Sequence, residues 1–186
     1  GGLIWLGEAT GIPIYIAASG PKLSEAAARV GDGIMLCKPL THAYMTEAIN
    51  DAKRVARDGH AGENLRVMSW IQTSVGHNRQ KARRHAQGLV AEVLQMCHIT
   101  MFDESDREEI RAVKQSYDFY EQNLAYGGEK APIPERFIDM FSLAGDAAEA
   151  RERMRMLLEL DGLEEIIIAP QHLEGSDGPS VAEVMR

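Results

Sequence analysis

Four short apolar runs, separated by longer amphipathic segments, constrain the fold of this chain more than any other feature. The runs cover residues 12–18, 33–37, 66–75 and 165–169. Three of them are almost continuous in apolar residues, which is typical of parallel strands buried on both faces. The run at 66–75 includes polar residues, and we expect one of its ends to line a pocket.

Helical periodicity fills the intervals between these runs. Apolar residues recur at three- and four-residue steps in the segments 22–30, 41–58, 79–98 and 146–160. Asn78 is placed to cap the third helix, and Asp146 with Glu149 gives the D-x-x-E form of a capping box. A charged helical pattern covers 103–126, and a last short helix is expected at 179–185. Alternating strands and helices predict an α/β fold with a parallel sheet.

Composition and charge exclude several classes of function. The chain has 186 residues, 45% of them hydrophobic, and is expected to form a single domain, 1–186. Its 20 basic and 28 acidic residues give a net charge of −8, which argues against binding to nucleic acid or to an anionic membrane surface. No apolar run approaches the roughly 20 residues needed to span a bilayer. We therefore expect a soluble, cytoplasmic protein.

The two cysteines do not suggest a metal site. Cys37 ends an apolar run and Cys97 follows a helical one. Neither belongs to a CxxC motif or a Cys/His cluster, so no metal is expected. We interpret both residues as buried free thiols in a reducing compartment.

Three segments, in the same order, resemble the luciferase-like monooxygenases and the related deazaflavin-dependent reductases. Residues 12–22, IPIYIAASGPK, are similar to the fifth strand of that family and the loop after it. Residues 26–33, AAARVGDG, resemble a helix of small residues that runs into a turn before the sixth strand. Residues 141–146, with the helix and strand up to Pro170, are similar to the last helix and the eighth strand.

This resemblance implies the C-terminal half, strands five to eight, of a (β/α)₈ TIM barrel. A whole barrel of this kind typically has about 250 residues and eight strands, whereas four strands are predicted here. Residues 98–137 match no part of the family pattern and are expected to form a helical insertion before the last strand. The residues alone leave a second architecture open, in which a four-stranded open sheet is the whole protein.

The resemblance also implies a cofactor, either FMN or the deazaflavin coenzyme F420, in the mouth of the barrel. The loop after strand five would contact it, which assigns cofactor binding to Ala17, Ala18, Ser19, Gly20 and Pro21. The loop is suited to that role because barrel enzymes place their sites at the carboxyl ends of strands. Small side chains admit a flat ring, and the amino terminus of the next helix favours an anion such as a phosphate.

Other residues near the predicted mouth are weaker candidates. Trp70, Gln72 and Ser74 alternate along one strand and so share a face, on which Gln72 or Ser74 could contact a ligand, although core packing is the favoured interpretation. His77 and His172 follow strands and are interpreted as surface residues. The methionines at helical positions are interpreted as core residues: Met96, Met154 and Met156. No acid–base pair or nucleophile stands out, so the catalytic residues are unknown and are expected in the first half of the barrel.

We therefore expect a flavin- or F420-dependent oxidoreductase that transfers hydride to, or monooxygenates, a small organic substrate. This chain alone is not expected to be active. It is expected to form a homodimer or larger homo-oligomer, or to pair with the missing N-terminal half-barrel, because an isolated half-barrel exposes sheet edges. Two alternatives stay open: a non-catalytic half-barrel binding module that has lost cofactor chemistry, and an unrelated four-stranded α/β enzyme.

Overall fold

The computed structural model describes residues 11–37, 39–116 and 133–170. The predicted helices at 179–185 and beyond 116, and His172, lie outside these residues. The helices and strands, in chain order, are β1 (Tyr15–Ala18), α1 (Pro21–Val30), β2 (Gly33–Leu36), α2 (His42–Ala56), β3 (Arg66–Val75), α3 (Arg79–Met96), α4 (Glu104–Ser116), α5 (Glu135–Phe141), β4 (Ser142–Gly145), α6 (Ala147–Leu158) and β5 (Glu165–Pro170).

All of the strands belong to one parallel sheet with β3 at its centre. Met68 and Ser69 of β3 pair with both β2 and β5, so those two strands lie on opposite edges of β3. Gln72 and Thr73 pair with both β4 and β5. Strand β4 therefore lies on the same edge of β3 as β2, beyond the carboxyl end of β2. The order is therefore β1-β2-β3-β5, and this confirms the predicted parallel α/β fold.

Strand β4 is a strand that the sequence did not predict. It has four residues, all buried, and follows α5 without a break. The backbone N–H of Leu40 donates to the carbonyl of Met140 at 2.6 Å, so the chain leaving β2 meets the chain entering β4. Four residues, one of them glycine, show too little alternation of apolar and polar residues to distinguish a strand from the end of a helix.

The two faces of the sheet are packed differently. The first face carries a core cluster that joins the sheet to α1, α2 and α6, through strand residues Ile16, Ala18, Ile34, Leu36, Val67, Ile71, Leu143, Ile166 and Ile168. Residues that alternate with these lie on the second face. There, Ala144 of β4 packs with α3 and α5 in a separate cluster. Beside the first half of β3, the second face leaves Ala17 exposed and Trp70 41% exposed.

The helix starts follow the sequence prediction. Asn78 Oδ1 accepts the backbone N–H of Lys81 at 3.0 Å and begins α3. Asp146 Oδ1 accepts the N–H of Glu149 at 3.0 Å, and Glu149 Oε2 accepts the N–H of Asp146 at 3.2 Å. This reciprocal pair is the predicted capping box of α6. At the other end of α3, Lys114 Nζ donates to the carbonyls of Gln95 and Cys97 and so ties α4 to the last turn of α3.

The helices between α3 and β4 form a second packing unit over the carboxyl end of the sheet. Its cluster joins α3, α4 and α5, and the ring centroids of Phe102 and Phe141 lie 5.8 Å apart within it. The described parts of the predicted insertion, 98–116 and 133–137, belong to this unit. The unit also includes Ala86, Val90 and Leu94 of α3. It therefore begins earlier in the chain than residue 98, where the predicted insertion begins.

Two absences hold for the described part of the chain. None of its helices combines the length and the apolar character that a membrane crossing requires. Residues 11–37, 39–116 and 133–170 also contain no group of three or more His, Cys, Asp or Glu residues able to hold a metal ion. Cys97 is buried as predicted, whereas Cys37 is only partly buried, and the two do not form a disulfide.

Candidate functional site

The loop predicted to bind a cofactor lies at the carboxyl end of β1, where the sheet passes into α1. Gly20 is the N-cap of α1, with extended backbone (φ −102°, ψ 160°), and Pro21 occupies the first turn. No side chain caps this helix start. Because the first N–H groups of a helix have no acceptor within it, those of Lys22 and Leu23 are available to a ligand. A Cβ built on Gly20 would meet no atom within 4 Å, so this backbone borders open space.

The five predicted residues do not all present their side chains to that space. Ala17 is exposed on the second face, whereas Ala18 is 1% exposed and packs into the first-face core. The carbonyl of Ala18 also accepts the N–H of Cys37 at 3.1 Å. Ala18 therefore anchors the loop, and the small surface next to the opening is formed by Ala17, Gly20 and Pro21.

Ser19 connects the loop to a distant part of the chain. Its hydroxyl donates to the backbone carbonyl of Met96, at the end of α3, over 3.4 Å. The Met96 side chain is 60% exposed, so the prediction that it is a core residue is wrong. The last turn of α3 borders the predicted loop, which leaves the side chain of Met96 facing outwards. No local sequence signal indicates a contact over 77 residues.

On the second face, Trp70, Gln72 and Ser74 share one side of β3 as predicted, but they have different surroundings. Ser74 is fully buried, and its hydroxyl donates to the Ala82 carbonyl at 2.9 Å. The Nδ1 atom of His85 lies 3.2 Å from the same hydroxyl. This pair has the spacing of a nucleophile and its base, but complete burial keeps substrate away from Ser74. Its role is to tie β3 to α3.

Gln72 is different because its side-chain oxygen is buried without a hydrogen-bond partner in the described structure. An unsatisfied buried acceptor costs about 1–3 kcal/mol. Ser69 Oγ and Gln95 Nε2 are also buried without a hydrogen-bond partner in the described structure. Ser69 lies on the first face, inside the core, whereas Gln72 lies on the same face as Ala17 and the exposed Trp70.

Two arginines, the buried Arg83 and the partly buried Arg153, hold in place the helices that cover the second face. Arg83 of α3 has a side chain only 7% exposed, and it donates to Glu135 at 2.6 Å, to Asp139 at 2.7 Å and to the carbonyl of Ala144 at 3.2 Å. Burial acts to lower the pKa of Arg83, but the hydrogen bonds to the two carboxylates outweigh it and raise the pKa. No local sequence pattern indicates this network, because its partners are far apart along the chain.

Arg153 of α6 completes the network from the other side. Its guanidinium donates to the carbonyl of Ser142 in β4 and lies 3.9 Å from Asp139. Burial lowers the pKa of Arg153, and the neighbouring charge of Arg83 lowers it further, while Asp139 opposes both effects. The two arginines thus attach α3, α5 and α6 to β4, and they leave no free cation for a ligand within this cluster.

A cavity of about 540 Å³ lies elsewhere, between α1, α2 and the turn Ile99–Met101. Its walls include Pro21 and Ser24 from the start of α1. Its charged rim consists largely of paired groups, because Arg29 bonds to Glu25 and Arg54 to Asp51. The cavity therefore adjoins the predicted loop on the helical side of the sheet.

The chain is similar to known oxidoreductases. Residues 3–164 match the model of the luciferase-like monooxygenase family. The 5,10-methylenetetrahydromethanopterin reductase of Archaeoglobus fulgidus is 27% identical over 148 residues, which cover 78% of this chain and 45% of that protein. The corresponding reductase of Methanolobus tindarius is 23% identical, over 86% of this chain and 48% of that protein. The chain thus spans less than half the length of these curated relatives.

A solved structure shows the same fold. The coenzyme F420 dependent tetrahydromethanopterin reductase from Methanopyrus kandleri superposes with a TM-score of 0.62 at 19% identity, over 87% of this chain and 46% of that one. The parallel sheet, the order of its elements and the family match over 162 residues all agree with the resemblance seen in the sequence. This chain belongs to the luciferase-like monooxygenase family.

Proposed function

We propose that this chain supplies strands five to eight, the C-terminal half, of a (β/α)₈ barrel that binds F420 or FMN and catalyses a redox reaction on a small organic substrate. The observation that carries the proposal is the loop after β1. It joins a strand to a helix start, has small residues on its exposed side, and borders open space at Gly20. It lies at the carboxyl end of the sheet, where barrel enzymes place their sites.

The residues present fit such a cofactor. Ala17 and Gly20 leave room for a flat ring system, and the N–H groups of Lys22 and Leu23 would face a phosphate at the start of α1. The unpartnered oxygen of Gln72 needs a donor. When bound, either cofactor supplies a ring that takes up or gives hydride, and the FMN ring in its reduced form also reacts with oxygen. The role of this chain is to bind and orient that ring.

We favour F420 over FMN. The Ser19-Gly20-Pro21 form of the loop supports this choice, since it resembles the deazaflavin-dependent branch. The similar structure from Methanopyrus kandleri is described as F420 dependent, and so is a secondary alcohol dehydrogenase that superposes with a TM-score of 0.54. The first half of the barrel would supply the catalytic residues and much of the substrate pocket.

The proposal includes a partner surface. In the order β1-β2-β3-β5, the outer edges of β1 and β5 are not paired within the described sheet, and the second face exposes Trp70 next to the partly buried Ile167. Ile12 and Ile14, just before β1, are 68% and 64% exposed. These apolar and unpaired groups support a complement of four more strands or a second copy of the chain. Cys37 and Cys97 do not form a disulfide, which agrees with a reducing, cytoplasmic location.

Native mass spectrometry of the full encoded protein, followed by a denaturing run, tests this function. We expect a non-covalent mass equal to F420 or FMN that is lost on denaturation, and fluorescence titration of the apoprotein should give saturable binding of the same compound. A protein that binds neither compound would overturn the proposal and favour a non-catalytic binding module. In the native spectrum, a dimer, a second chain of similar size, or a single chain long enough to include four more strands would support the partner surface. A monomer with only the length of this chain would contradict it.

A further inference from the structure

The side chain of Gln72 occupies a position on β3 at which strands lie on both sides. Its direct neighbours are Ser142 of β4 and Ala169 of β5, which are both small. The Gln72 amide is therefore the largest side chain in its row of the sheet. Its oxygen is buried, yet no group in the described residues donates a hydrogen bond to it.

The polar groups around this row donate their hydrogen bonds to other acceptors. The hydroxyl of Ser142 donates to the carbonyl of Ile138 at 2.7 Å. The guanidinium of Arg153 donates to the carbonyl of Ser142, and that of Arg83 to Glu135, Asp139 and Ala144. Buried acceptors are rarely left unpaired in folded proteins, so an unpaired one next to an open face points to a donor from outside.

The location of Gln72 favours a ligand over a core role. Side chains two residues apart on a strand share a face, so Gln72 shares the second face with Trp70 and Met68. Ala17 of β1 pairs with Met35 of β2, and Met35 pairs with Met68 of β3, so these three residues lie in one row across the sheet. Gln72 is thus placed towards the carboxyl end of the face on which Ala17 of the candidate loop is exposed. Ser69 provides the contrast, because its unpaired hydroxyl is surrounded by the first-face core, where no ligand enters.

We propose that Gln72 contacts the cofactor and that its amide oxygen accepts a hydrogen bond from the imide N–H of the ring. This inference rests on the proposed function. Oxidised flavin and deazaflavin rings both have one imide N–H between two carbonyls. A carboxamide matches this edge, because its oxygen accepts from the N–H while its NH₂ group donates to an adjacent carbonyl. Gln72 would then be a specificity-determining residue for the ring edge.

The test compares the full encoded protein with its Gln72→Met variant, which keeps the length of the side chain and removes the amide. Each protein is titrated with FMN and F420 and with the N3-methylated form of each ring, which lacks the imide N–H. We expect Gln72→Met to bind the unmethylated cofactor about tenfold more weakly, the loss of one hydrogen bond. The wild-type protein should bind the methylated ring about tenfold more weakly too, and Gln72→Met should not distinguish the two rings.

Controls separate this inference from the proposed function and from a folding defect. Gln80→Met, at an exposed glutamine of α3, should leave affinity unchanged. The urea midpoint of the apo Gln72→Met variant should equal or exceed that of the wild type, because the unpaired acceptor has been removed. Equal affinity of both proteins for the unmethylated cofactor, or equal discrimination against the methylated ring, would overturn the role of Gln72 alone. A wild-type protein that binds neither cofactor would overturn the proposed function as well.

Discussion

The carboxylate of Glu149 lies against Gly145, in the space that a Cβ on Gly145 would fill. Gly145 ends β4 with φ +145°, a conformation that other residues rarely adopt. Glu149 is fixed there by two interactions: it completes the capping box with Asp146, and its Oε1 accepts from Arg79 Nε at 2.7 Å. Glycine at this position therefore allows the start of α6 to close over the end of the sheet.

Gly145→Ala is expected to lower the free energy of unfolding by about 1–3 kcal/mol, because it combines an unfavourable φ with displacement of the Glu149 carboxylate. Urea unfolding followed by circular dichroism measures this change. Gly88→Ala is the matched control, since Gly88 lies within α3 and a Cβ there meets nothing within 4 Å. That variant should be more stable than the wild type by about 0.5–1 kcal/mol. Equal effects of the two substitutions would contradict the role given to Gly145.

Two buried serines of β3 offer a second matched comparison. The hydroxyl of Ser74 donates to the carbonyl of Ala82, whereas that of Ser69 has no partner in the described residues. Ser74→Ala is expected to lower the free energy of unfolding by about 1 kcal/mol, and Ser69→Ala to leave it unchanged or raise it. Denaturant titration of both variants under the same conditions checks this. A Ser69→Ala variant less stable than Ser74→Ala would show that the hydroxyl of Ser69 has a partner after all.

The main elements of the fold could be predicted from the sequence because each has its own local signal. The continuous apolar residues of β2 and β5 and the caps at Asn78 and Asp146 are properties of neighbouring residues. The resemblance to the family added the prediction that the loop after β1 contacts a cofactor. These signals fixed the order and type of the long elements, and the structure agrees with them.

What could not be predicted depends on contacts between distant residues. The Ser19–Met96 hydrogen bond, the Arg83 network and the placement of β4 on the β2 edge each join segments more than 50 residues apart. The misassigned Met96 illustrates the reason: helical periodicity shows that a residue can face a core, but not whether another element arrives to cover it. The unpartnered oxygen of Gln72 likewise becomes visible only when both neighbouring strands are in place.

Tyr44 should give the protein a distinct alkaline titration. Burial raises the pKa of Tyr44 above its ordinary 10.0, and the nearby carboxylates of Asp103, Asp106 and Glu47 raise it further. The unfolded chain then loses this proton at a lower pH than the folded protein. The stabilising contribution is therefore fully present below pH 10.0 and is lost as the pH rises through the pKa of the folded state.

We expect Tyr44→Phe to remove one late-ionising phenol and to reduce the loss of stability at alkaline pH. The ultraviolet absorbance of tyrosinate, compared between the wild type and Tyr44→Phe across the pH range, isolates this group. Asp103→Asn should shift the same transition to lower pH, because it removes one of the negative charges. If the difference between the two titration curves had its midpoint at or below pH 10.0, the prediction would be contradicted.

The loop after β1 can be tested with a substitution that favours folding and opposes ligand binding. Gly20 is an N-cap without a side-chain hydrogen bond, and asparagine is among the best residues for that position. Gly20→Asn is therefore expected to raise the stability of the apoprotein by a few tenths of a kcal/mol. Its side chain would also enter the open space beside the loop, so affinity for F420 or FMN should fall by about tenfold or more.

Urea unfolding and fluorescence titration measure the two effects on one preparation, with Gly88→Asn as a control that should leave affinity unchanged. If Gly20→Asn kept full affinity, the open space beside Gly20 would not be where the cofactor binds, and the site would have to be sought elsewhere on the carboxyl end of the sheet.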